Sequence, residues 1–143
     1  MNARLSTFFF IATLTACSAK YVGKNYDGPD LPENQVGIVT FSRVGDAAAI
    51  LCKINGQSVS MDSKNRSVSM LPGKHAVLFL FTSPNRQSVA VEWNFTVEAG
   101  HKYAVRFPEQ QGSSIVLWLE DLTVGKRVTD ITSSPLKSSY ACL

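Results

Sequence analysis

The sequence predicts an all-β fold, and three observations carry that expectation. From Val36 onward, short runs of β-branched and aromatic residues are separated by turn residues. The run 88–97 alternates strictly between apolar and polar positions, and no stretch places apolar residues at helical spacing. About seven or eight strands without an amphipathic helix imply two packed sheets, so a single antiparallel β-sandwich is expected over residues 36–143.

Val36 to Ser42 reads as the first strand and Ala48 to Ile54 as the second. Asn55-Gly56 directly after it is a strong hairpin signal, because a type I′ turn needs positive φ at both central residues. Gln57 to Met61 should return antiparallel, Asp62 to Arg66 form a polar loop, and Ser67 to Met70 resume extended structure before a turn at Leu71-Pro72-Gly73-Lys74. His75 to Thr82 is apolar on both faces and reads as a central, covered strand. Ser83 to Gln87 is a turn. In 88–97, Val89, Val91, Trp93, Phe95 and Val97 share the core face. Ala99-Gly100 breaks the pattern, Tyr103 to Phe107 restores it, and Pro108 to Ser114 is a loop. Ile115 to Asp121 is a further strand, with an edge strand expected at Val128 to Thr132. Residues 17–35 hold no periodicity and read as a tether, along which Tyr26, Pro29, Leu31 and Pro32 could pack on a sheet edge.

The chain begins with one cation, Arg4, and an apolar run from Leu5 to Leu14, about half the length that spans a bilayer as a helix. This is the pattern of an export signal over residues 1–16. Leu14-Thr15-Ala16-Cys17 resembles the bacterial lipobox. The resemblance implies diacylglyceryl transfer to the Cys17 thiol, cleavage before it and final acylation with three chains. One buried chain holds only marginally at about 0.8 kcal/mol per methylene, so three would anchor the protein durably. Ser18 stands where an Asp would retain a Gram-negative lipoprotein at the inner membrane. The resemblance therefore implies the outer membrane, facing the periplasm.

A second resemblance rests on turns. Ile54-Asn55-Gly56, the run Met70 to Val77 and the run Val97 to Tyr103 look like the hairpin, the "PG-H" turn and the "AG-x-Y" turn of PEGA-type β-sandwich modules. The chain has Asn-Gly for Asp-Gly and lacks the Pro-Glu-Gly-Ala run itself. The resemblance implies a sandwich with a binding or scaffolding role.

Few residues invite chemistry. Net charge is +3 and the cations are scattered, which argues against nucleic acid as a partner. His75 and His101 each open a strand after a glycine turn, but no cysteine pair or His-x-His spacing supports a metal, so they read as polar strand ends. No serine lies in a nucleophile elbow, and Glu120 and Asp121 alternate faces and cannot act as one pair. No enzyme, metal or cofactor is expected. Trp93 reads as core; Trp118 is either covered or an exposed ligand contact. With Cys17 lipidated, Cys52 and Cys142 remain. In an oxidising compartment they either pair, closing a loop worth about 4 kcal/mol, or stay as a buried thiol and a free one. The function expected is a non-enzymatic, membrane-anchored envelope lipoprotein that binds or scaffolds another envelope protein. The alternative is a small-ligand or glycan-binding periplasmic lipoprotein.

Overall fold

The structure is a computed structural model, and it describes residues 23–59, 66–88, 90–107 and 113–137. Apart from one 3-10 turn at Glu33–Gln35, their regular structure is entirely β. The strands are β1 (Gly23–Lys24), β2 (Gly37–Thr40), β3 (Arg43–Val44), β4 (Ala47–Ile54), β5 (Gln57–Ser58), β6 (Ser67–Met70), β7 (Gly73–Ser83), β8 (Arg86–Ser88), β9 (Val91–Val97), β10 (Lys102–Arg106), β11 (Ser114–Asp121), β12 (Lys126–Arg127) and β13 (Thr132–Lys137).

They form two sheets, as a sandwich requires. The first runs β1-β6-β2-β10-β11, with β12 on β11. The second runs β3-β4-β7, with β5 on β4 and both β8 and β9 on β7. β13 joins the two, pairing β11 through Thr132 to Pro135 and β8 through Leu136 and Lys137. The expected purely antiparallel arrangement does not hold in the first sheet, where β1 runs parallel to β6 and β2 parallel to β10. The reason lies in connectivity: between β2 and β10 the chain makes β6 and most of the second sheet, and such a long excursion is what a parallel pair needs.

Alternation decides what is buried. Val77, Phe79 and Phe81 of β7 face inward beside Val91, Trp93, Phe95 and Val97 of β9, and Val39, Tyr103, Val105, Ile115, Leu117 and Leu119 face them from the first sheet. Phe79 and Trp93 have ring centroids 4.3 Å apart, and Phe95 meets Tyr103 across the layers at 5.8 Å. On the outer face of β7, Leu80 is buried and Leu78 half-buried, so this strand is largely covered on both sides.

Two irregularities tune the pattern. The β4–β7 register shifts between Leu51 and Lys53, so that Ile54 rather than Lys53 meets Val77 on the core face. The bulged residue is Cys52. The run 88–97, expected as one strand, is broken between β8 and β9, and the register on β7 shifts by one residue across the break. There the buried Ser88 hydroxyl accepts the Phe81 N–H at 2.8 Å, a bond the interrupted ladder does not supply.

Two boundaries differ from expectation. The last strand is β13 rather than Val128 to Thr132, and its pairing with β11 includes Pro135. The segment read as a tether joins the sheet from Gly23: the Asn25 N–H donates to the Ser69 carbonyl, and the Tyr26 hydroxyl accepts the Leu31 N–H at 3.1 Å.

Candidate functional site

Registers place one set of turns together. Met70 pairs with Gly37, Gly73 with Val97 and Tyr103 with Asp121, so the turns before β7 and β10 and the turn after β11 lie at one end of the sandwich. Both histidines are there.

Asp121 shares the inward parity of Ile115, Leu117 and Leu119, which puts a carboxylate on the core face at 3% exposure. A buried carboxylate needs hydrogen-bond donors. His101 Nδ1 lies 2.6 Å from Oδ2, and the Thr123 N–H donates to Oδ1 at 2.9 Å. The Val124 N–H also favours the ionised carboxylate. Thr123 in turn accepts the Lys102 N–H on its hydroxyl at 2.9 Å, tying the turn to β10. On its other side, His101 Nε2 stands 3.5 Å from Glu98 Oε2, and the ring stacks on Tyr103. The Tyr103 hydroxyl accepts the Glu98 N–H at 2.9 Å.

The hydrogen bond to Asp121 raises the His101 pKa above 6.5; burial opposes it, and the charges of Asp121 and Glu98 add to it. Burial would raise the Asp121 carboxyl, but the bonds from His101, Thr123 and Val124 outweigh it and hold the pKa below 3.8. Burial raises the Tyr103 phenol above 10, against the bond from Glu98. The pair therefore has a defined pH window. His101 binds its proton more tightly in the folded chain, so its contribution is complete below pH 6.5 and is lost as pH rises through the raised value. Asp121 contributes fully above pH 3.8 and loses that as pH falls through its depressed value. Melting temperatures are expected to decline from pH 6.5 upward in the wild type and to lose that slope in His101→Gln; equal slopes in both proteins would contradict the assignment.

His75 is held differently. Its Nε2–H donates to the Leu71 carbonyl at 2.8 Å, which leaves Nδ1 to accept from the Asn55 side-chain amide at 3.1 Å. Asn55 Oδ1 accepts the Ala76 N–H at 2.9 Å. Asn55 thus serves twice. With φ at 51° it makes the hairpin turn beside Gly56, and its side chain pins that hairpin to the start of β7. The two histidines sit on different sheets, each engaged by its own turn. Among the described residues neither donates to a hydroxyl or thiol, and no group of three or more His, Cys, Asp or Glu is placed to hold a metal ion.

Two depressions mark the second sheet. One, of about 510 Å³, is lined by Asn55, Lys74, His75, Ala76, Asn94, Phe95 and Thr96. The other, of about 520 Å³, is a cleft between β9 at Glu92, Trp93 and Asn94 and the segment 127–132. Trp118 lines neither; it is half-buried on the outer face of β11, in register with Arg106. Trp93 is core as expected, and its indole N–H donates to Thr132 Oγ1 at 3.0 Å. Cys52 is buried and disulfide-bonded. Cys17 and Cys142 lie outside the described residues, as does the export segment. Among the described residues no helix is long and apolar enough to cross a membrane.

The Asp121–His101 pair and the cleft were missed in the sequence. The parity that buries Asp121 was legible there; its partner across the turn was not. No known protein family, curated protein or solved structure matches the chain.

Proposed function

We propose that the protein is a non-enzymatic envelope lipoprotein, anchored through lipid on Cys17, whose β domain binds or scaffolds another envelope protein. The observation that carries this reading is Leu14-Thr15-Ala16-Cys17 placed directly after a short apolar run with a basic start. The Cys52 disulfide suits the oxidising compartment such a signal serves. The histidines, which would be the natural acid–base groups of an enzyme, are spent on holding turns. β1 runs parallel to β6, so the chain meets the sheet from the end opposite the histidine turns. Five residues separate Cys17 from Gly23, and a chain of that length spans at most about 20 Å. So short a span would keep a lipid-anchored domain near the membrane surface.

Cells grown with an alkyne-bearing fatty acid are expected to label the wild-type protein and not Cys17→Ala. Crosslinking in intact cells should then recover a stoichiometric envelope partner from the wild type that the variant loses. An unlabelled wild-type protein would sink the anchoring, and a labelled protein without a partner would sink the scaffold. One observation favours a second reading, a glycan or other small polar ligand: the depression over Asn55, Lys74, Asn94 and Thr96 offers amide, ammonium and hydroxyl groups together. Shifts confined to those residues on titration with periplasmic glycans would move the assignment there.

A further inference from the structure

We propose that the cleft beside β9 takes an extended segment of a partner polypeptide, which adds to the second sheet as a new antiparallel strand. This rests on the reading of the protein as a binding module and names the surface that binds. β9 pairs β7 along one edge, and among the described residues no strand pairs its other edge over Val91–Val97. The neighbouring ladder stops short of it. β13 pairs β11 over Thr132 to Pro135 and reaches β8 only at Leu136 and Lys137, so it does not run along β9; the Trp93 indole N–H donates to Thr132 across this gap. The opening is the 520 Å³ cleft.

An open strand edge repeats N–H and C=O groups that another extended backbone matches in register, and folded proteins protect such edges with Lys, Pro or a bulge. Val91 to Val97 contains no Lys and no Pro, and its ladder with β7 is regular throughout. The outward side chains Glu92, Asn94 and Thr96 are exposed. The opposite wall supplies the rest of the recognition. Of the exposed large apolar side chains, Val128, at 36% exposure, lines it. Glu92, Arg127 and Asp130 line the cleft and form no ion pair among the described residues. The fitting segment is therefore extended, carries an apolar side chain toward Val128, and bears a cation toward Glu92 and Asp130.

The test is amide hydrogen exchange by mass spectrometry on the full chain in detergent, read in the segment 91–97. The probes are seven-residue peptides alternating Thr and Val with one Lys placed at each position in turn. In the free chain the cleft-side amides should exchange rapidly, and the best peptide should slow them about tenfold. Its analogue N-methylated at alternate amides should have no effect. Glu92→Lys should weaken the Lys-bearing peptide about threefold. The proposal is overturned if these amides are slow in the free chain at every dilution, since the chain then covers its own edge. It is overturned equally if they slow only with protein concentration, which marks a second copy, or if no peptide protects them. A chain that carries lipid and captures a partner, yet fails here, keeps its role as a module and loses this surface.

Discussion

Replacing Phe79 by alanine is expected to lower the unfolding free energy by about 3–5 kcal/mol. Phe79 is fully buried, its ring packs on Trp93, and its backbone is flanked by Leu51 on β4 and Val91 on β9. A strand with ladders on both sides cannot move in to fill the void, so the lost transfer energy and the cavity term both count. Domains of this kind hold about 5–15 kcal/mol in total, so the variant should lose roughly a fifth or more of its stability. Urea unfolding should show a large fall in midpoint at constant slope. Leu78→Ala, on the half-buried outer face of the same strand, should cost clearly less. Equal losses would mean that the two faces of β7 are packed alike, contrary to the structure.

Breaking the Cys52 disulfide is expected to cost about 4 kcal/mol on the proposal that Cys142 is its partner, because the closed loop would then span about 90 residues. Cys52 sits at the β4 bulge, buried and disulfide-bonded. Lipid on Cys17 would leave Cys142 as the remaining cysteine. Non-reducing peptide maps should link Cys52 to Cys142, and Cys52→Ser should unfold at markedly lower urea. A map joining Cys52 to Cys17 would remove both the pairing and the lipid anchor, and an unchanged midpoint would remove the energetic claim.

Much of the local pattern was legible. The Asn55-Gly56 hairpin, the two-faced strand within β7 and the inward set Val91, Trp93, Phe95 and Val97 follow from turn chemistry and period-two alternation, which act over a few residues. The break between β8 and β9 was not legible, because nothing in the strict alternation of 88–97 signals a register shift; only the neighbouring strand reveals it. The site divides in the same way. That Asp121 lies on the core face of its strand could be read from Ile115, Leu117 and Leu119. That His101 closes on it requires β10 beside β11 in one register.

The sequence by itself determined that the folded part described by the structure is β, where most strands lie and which side chains point inward. Those are consequences of side-chain period and of turns that Asn, Gly and Pro make locally. Tertiary structure alone decided which strands are neighbours: that β2 and β10 run parallel, that β13 crosses from one sheet to the other, and that among the described residues no strand pairs the second edge of β9. Pairing partners distant in the chain are selected by the closure of the whole core, and no local pattern encodes that choice.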